Sequence, residues 1–298
     1  EYMAMAGWKA EDMLNGIEGV MDLAAASGED LAGVSDIVTD AMTAFGLSAD
    51  GTTKIIKDGF TKEVSNASHF ADVLAAASAN SNTNVAMLGE SFKYAAPVAG
   101  SLGYSVEDTA IALGLMASSG LKSSMAGSSL RTILTNLAKP TDDISDAMDY
   151  LGISLQNGDG SMKSLMDIVT DLRGAFGQCK MPMDQFQENL AKLDEKYANG
   201  ELTEKKYNEA LADLTEKAYG AEGALKAKYA ATLAGKEGMS GLLSIVSAAP
   251  EDFDKLTNAI YNSDGAAKEM AEIKMDNLQH DVVKLQSAME GLGITAFN

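Results

Sequence analysis

Apolar residues recur along most of this chain at intervals of three and four, the period of a helix with one buried face. The pattern predicts helices from Ala10 to Ala26 and from Leu31 to Phe45, the second with Val34, Ile37, Val38, Ala41 and Phe45 as its stripe. Ser48-Ala49-Asp50 reads as the start of another, with Ile55 and Ile56 on its buried side and a turn at Asp58-Gly59-Phe60. A helix from His69 to Ala79 turns Phe70, Val73, Leu74 and Ala77 inward. After the polar run Asn80–Asn84 a longer one carries Val85, Leu88, Phe92 and Ala95. Pro97 predicts a kink or an end there, because proline has no amide to donate and its ring crowds the preceding turn. Residues 107–118 are almost wholly apolar or small, so that helix belongs at the centre of a bundle. Met125 to Ala138 stops before Lys139-Pro140, and helices over 143–150 and 162–176 complete this block.

Between these segments a short grammar repeats: a helix ends at glycine, an apolar residue follows, and a small polar residue comes next. It appears as Phe45-Gly46-Leu47-Ser48, Leu102-Gly103-Tyr104-Ser105, Ser119-Gly120-Leu121-Lys122-Ser123 and Leu151-Gly152-Ile153-Ser154. Glycine tolerates the left-handed conformation that closes a helix, and the apolar residue after it packs back on the last turn. The serine is placed to accept from the unpaired amides of a following helix, and Ser105-Val106-Glu107-Asp108 fits a capping box. Such punctuation predicts a stack of short helices without a sheet.

Residues 181–230 change texture. Phe186, Leu190, Leu193 and Tyr197 form one narrow stripe, Tyr207, Leu211, Leu214 and Ala218 another, and Asn199–Thr203 joins them. Two such helices with a short connection predict an antiparallel hairpin. The apolar style returns over 238–248, and Pro250 suits the first turn of a helix over 251–261. Ala271, Met275, Leu278, Val282, Leu285, Met289 and Leu292 then alternate gaps of four and three. That is a heptad seam, open to two readings: a coiled coil made by self-association through Met275, Leu278, Val282, Leu285, Met289 and Leu292, or a last core helix lying on the domain. The predicted architecture is all-α: a multi-helix core over 1–178, an inserted hairpin over 179–231, a return to the core over 232–263, and an exit helix over 264–298. The chain begins at Glu1 and ends without a clear stop, which reads as a piece of something longer.

Charge narrows the function. Against 23 basic residues stand 43 acidic ones, a net charge of −20, and the basic residues are scattered singly. A surface of this sign repels nucleic-acid backbones and anionic membranes. No run of about 18 apolar residues is present to span a bilayer. The single cysteine, Cys179, leaves no disulfide framework and reads as an unreactive side chain at a helix end.

Candidate chemistry is thin. His69 and His280, the two histidines, lack neighbouring zinc ligands. Asp142, Asp143, Asp146 and Asp149 fall at a helix start, where the helix dipole favours acids on a solvated face. Asn157-Gly158-Asp159-Gly160-Ser161 has the glycine of a calcium loop, but Leu155 and Met166 stand where acidic ligands belong, so it reads as a turn. Gly100–Gly103 and Gly127–Ser129 match no phosphate loop, and G-x-S-x-G is absent. No catalytic, cofactor-binding or metal-binding residue is assigned, and no cofactor is expected.

Tyr94-Ala95-Ala96-Pro97-Val98-Ala99, Leu102-Gly103-Tyr104-Ser105-Val106-Glu107-Asp108-Thr109-Ala110, Ser128-Ser129-Leu130-Arg131 and Leu137-Ala138-Lys139-Pro140 together resemble the core region of phage tail tape measure proteins from tailed phages and prophages of Gram-positive bacteria. Met3–Trp8, Leu23–Gly28, Asp40–Gly46, Met162–Leu165 and Ala234–Leu243 extend the resemblance, whereas the hairpin departs from the commoner pattern. The resemblance implies a structural, non-enzymatic protein that lies in several copies in the lumen of the tail tube and sets its length. The implied partners are the tail tube protein, tail assembly chaperones and the tail tip or distal tail proteins. The implied locations are the virion tail and, during assembly, the host cytoplasm. A helical adaptor or oligomerisation scaffold unrelated to tails is the alternative reading.

Overall fold

A computed structural model describes residues 2–57, 60–177, 183–219 and 222–276. In chain order the elements are α1 (Tyr2–Met5), α2 (Ala10–Ser27), α3 (Leu31–Ala44), β1 (Thr52–Lys57), β2 (Phe60–Ser65), α4 (Asn66–Asn80), α5 (Val85–Ser101), α6 (Val106–Ser118), α7 (Ser123–Ala138), α8 (Asp142–Leu151), α9 (Leu165–Gly177), α10 (Met183–Ala198), α11 (Glu204–Tyr219), α12 (Glu222–Val246) and α13 (Pro250–Tyr261). A further helix occupies 266–276. Among the described residues the protein is all-α but for one antiparallel hairpin and an isolated bridge between Gln156 and Met162. The chain divides into two compact units, Glu1–Leu134 with Ala248–Asn298, and Thr135–Ser247.

In the first unit α4 and α6 form the centre. Every side chain from Thr109 to Ala117 is buried, and so is every one from Asn66 to Ala77 except Ser68. Around them pack α2 against α4, α3 against α5, and α13 against both α4 and α6. Phe92 stands edge-on to Phe70 at 5.4 Å and to Phe45 at 6.0 Å, a geometry that sets ring edges against ring faces. Backbones approach closely because glycine lies at the crossings. A β-carbon added at Gly19 would sit 2.6 Å from Ser68 Cα, and one at Gly100 would sit 2.6 Å from the Ala44 carbonyl oxygen.

The helix stops follow the grammar. Leu47, Tyr104, Leu121 and Ile153 each donate their amide to the carbonyl five residues back, at 2.9–3.0 Å, across a left-handed glycine. These are Schellman closures, which satisfy carbonyls a helix end would otherwise leave unpaired. The serines that follow behave less uniformly. Ser105 caps α6 by accepting from the Asp108 amide, but the Ser48 carbonyl closes a turn before a strand, and Ser154 accepts from the Gln156 amide ahead of the bridge. Asp30, Ser65, Asn84 and Ser164 cap α3, α4, α5 and α9 in the same way as Ser105.

Two expectations are corrected. The helix expected after Ser48 is instead β1 paired to β2, in register from Thr52 opposite Ser65 to Lys57 opposite Phe60. Six β-branched residues (Thr52, Thr53, Ile55, Ile56, Thr61 and Val64) favour the extended chain, and the connecting Asp58-Gly59, which lies outside the described residues, is a favoured two-residue hairpin sequence. The second concerns Pro97: of the kink or end expected there, the end is excluded, since α5 runs one further turn to Ser101, where Gly103 closes it.

In the second unit α12 packs on α8 and α9 over Ile144, Met148, Ile168, Leu172, Phe176, Leu233, Leu242 and Ile245. Arg173 donates to the Ile245 carbonyl at 2.7 Å, placing a cation at a helix C-terminus. α10 and α11 pair with each other, with Tyr197 and Tyr207 4.7 Å apart. No described side chain of these two helices is fully buried.

Candidate functional site

Two buried acids of the first unit, Asp72 and Asp108, meet the chain where it leaves α13. Asp72 sits in the apolar run Phe70-Ala71-Asp72-Val73-Leu74 of α4 and is only 8% exposed. Its two oxygens accept from the Gly265 amide at 2.8 Å and the Ala267 amide at 3.0 Å. A carboxylate 193 residues upstream thus caps the helix over 266–276. Burial pushes the Asp72 carboxyl above its ordinary range, with the two amide bonds working in the opposite direction.

Further polar contacts fasten the same segment. The Tyr261 hydroxyl donates to Asp108 at 2.5 Å, and Lys62 pairs with Asp264 at 3.0 Å. Lys274 donates to the Ala26 carbonyl at 3.0 Å, at the C-terminal end of α2. Lys268 stands 3.8 Å from Glu18. Contacts at 18 with 268 and at 26 with 274 make the 266–276 helix run alongside α2 in the same direction.

Beneath this segment lies a cavity of about 320 Å³, lined by Lys54, Ile55, His69, Glu107, Tyr261, Asn262, Ser263 and Asp264. His69 is buried, its Nε2 2.8 Å from Glu107 Oε1, while Nδ1 has no hydrogen-bond partner. Burial raises the Glu107 carboxyl, but the His69 hydrogen bond and charge outweigh it and hold the group below its ordinary range. Among the described residues His69 Nδ1 meets no hydroxyl or thiol.

The remaining sequence candidates are not brought together. Asp142 and Asp143 occupy the first turn of α8, while Asp143 and Asp146 line a separate cavity of about 630 Å³ in the second unit with Tyr150, Lys228 and Tyr229. Asn157–Ser161 is a turn: the Gly160 amide donates to the Asn157 carbonyl, and Asp159 accepts from the Ser161 amide. Among the described residues no three His, Cys, Asp or Glu side chains converge as metal ligands. No helix among them is long and apolar enough to cross a membrane. Of the heptad seam, Met275 is half exposed at 52%, whereas Leu278, Val282, Leu285, Met289 and Leu292 lie outside the described residues, as do Cys179 and His280. Sequence reasoning missed Asp72, Tyr261, Asp264 and Lys274, and read Asp108 only as part of a cap. The available signal was an isolated acid inside an apolar helix, at Asp72.

Comparison with known proteins settles the lineage. The sequence model of a family described as "Phage-related minor tail protein" matches residues 1–193. The chain belongs to this family. It is 35% identical over 294 residues, 99% of its length, to a protein named "Tape measure protein" of Pneumococcus phage Dp-1. It is also 26% identical over 244 residues, 82% of its length, to a "Probable tape measure protein" of Escherichia phage P2. The chain covers 21% and 25% of those two proteins, so it spans about a quarter of their length or less. No solved structure matches it. The family match takes in all the elements from α1 to α9 and ends within α10.

Proposed function

We propose that this chain is a folded part of a phage tail tape measure protein, acting structurally in tail assembly and in setting tail length. The observation that carries the reading is the similarity to the Dp-1 tape measure protein along 99% of the chain. The virion tail is then its site of action, with the tube lumen as its place and the host cytoplasm as its place of assembly. The tube protein, assembly chaperones and tail tip proteins are its partners. The net charge of −20 favours protein partners over nucleic-acid backbones.

The fold bears on how such a protein measures length. A helix advances about 1.5 Å per residue only when it runs on as a rod. In the first unit the helices stop at the left-handed glycines Gly28, Gly46, Gly103 and Gly120 and pack on one another, so length there is not proportional to residue number. The region is a folded domain of the tape measure, and the ruler lies elsewhere in the protein. In the full-length phage protein, deletions of increasing size within residues 30–140 are expected to abolish assembly or leave tail length unchanged, as read by electron microscopy. Tails shortened in proportion to the residues removed would overturn this.

The exposed Met275 begins the heptad seam, and a second copy supplies the partner for the exit segment. Light scattering is expected to give a mass above that of one chain, falling when residues 264–298 are removed and when Leu285 is changed to Asp. An oligomer of unchanged mass after Leu285→Asp would exclude the seam.

A further inference from the structure

The helix over 266–276 is joined to the first unit by bonds of a different kind from those holding its neighbours. It buries two apolar side chains, Ala267 and Ala271, the smallest a helix can offer, and every residue from Glu272 to Asp276 is exposed. By contrast α13, the element just before it, places Leu256 and Ile260 in the core. What the helix lacks in apolar contact it makes up in polar contact: the Asp72 cap and the Lys274 bond to the Ala26 carbonyl. Its face toward α2 also carries repulsion, since Glu272 acts on Asp22 with the same sign as Glu18, with Lys268 the compensating cation.

Between α13 and this helix stands Gly265 with φ +82°, a conformation other residues rarely adopt. Gly28, at φ +77°, closes α2 where Lys274 arrives. A β-carbon on it would sit 2.9 Å from Lys274 Nζ, so the missing side chain leaves the path to the Ala26 carbonyl open.

We propose that residues 266–276 form a detachable arm, hinged at Gly265 and clasped by Asp72 and Lys274, that opens as a unit while α2, α4, α6 and α13 stay packed. Elements with little buried apolar contact and mostly polar attachment open at lower cost than the global fold. Ala267, Ala271 and Met275 fall four apart on one face of this helix, so opening uncovers Ala267 and Ala271 and lengthens the exposed apolar stripe that Met275 begins. The inference concerns the fold and stands apart from the role in tail-length determination.

Hydrogen exchange on the intact chain at neutral pH tests it. Amides within 266–276 are expected to exchange at least about tenfold faster than those of α6 and α13. Asp72→Asn leaves one acceptor oxygen for two amides, and Lys274→Gln removes the bond to α2. Each is expected to speed exchange in 266–276 severalfold and leave α6 unchanged. An arm that exchanges at the rate of α6 in the unaltered protein would overturn the proposal, as would variants that speed both regions equally. Should Asp72→Asn fail to fold, the surface variant Lys274→Gln and the unaltered protein decide.

Discussion

Helix α6 buries every side chain from Thr109 to Ala117, whereas the helix over 266–276 buries Ala267 and Ala271 and leaves its last five residues in solvent. Both belong to the same compact unit, and both begin at a cap, Ser105 in one case and Asp72 in the other. The caps differ in origin. Ser105 precedes its helix directly, so α6 carries its own start signal, but the 266–276 helix borrows a carboxylate from α4. A helix whose start signal and packing are both local or deep cannot be displaced without unfolding the unit. One that depends on distant polar groups can be. Small residues serve opposite ends in the two places: along α6 and α4 alanine and glycine let backbones close up into a core, while at 267 and 271 alanine gives only a shallow contact.

The largest expected effect tests the packed side of this contrast. Phe92 is fully buried between Phe45 and Phe70, and Phe92→Ala leaves a cavity that the neighbouring helices of the first unit have to bridge. Deleting a buried phenylalanine side chain costs about 3–5 kcal/mol. Urea unfolding, followed by circular dichroism, is expected to show that loss for Phe92→Ala. A loss below about 1 kcal/mol would mean that the site collapses around the missing ring, and that the centre is less rigid than its burial indicates.

How much of this was legible beforehand follows from how far each determinant reaches along the chain. Gly46, Gly103, Gly120 and Gly152 act on residues within five positions, so the helix stops could be read directly, as could the cap at Ser105. The central place of α6 followed from its lack of any polar face. The β-hairpin was obscured because Ile55 and Ile56 are adjacent: neighbouring apolar residues can share one face of a helix, whereas in a strand they point to opposite sides and break the alternation that marks one. Its stronger signals were the β-branched run and Asp58-Gly59. The clasp was beyond reach for another reason: Asp72 meets its amides across 193 residues, and Lys274 meets its carbonyl across 248. Periodicity shows which face of a helix is apolar but not which distant backbone group a buried acid will find.

The smallest expected effect probes the repulsion between α2 and the arm. The Asp22 carboxyl is raised above its ordinary 3.8, first by burial, then by the charges of Glu18 and Glu272, with Lys268 acting against them. A raised folded pKa means that the protonated form is favoured in the folded state. The stability Asp22 contributes is therefore present below pH 3.8 and is lost as pH rises through the folded value. At neutral pH the ionised group is a net cost, and Asp22→Asn removes it. Like-charge neighbours a turn apart cost about 0.2–0.5 kcal/mol, and this group is mostly solvated, so the gain at neutral pH is a few tenths of a kcal/mol. The gain is expected to shrink toward zero as the medium is acidified below pH 3.8, which urea titrations at the two pH values measure. Destabilisation by Asp22→Asn at neutral pH would show that the pairing with Lys268 outweighs the two acids. The arm would then be held along α2 by net attraction, and the difference between it and α6 would narrow.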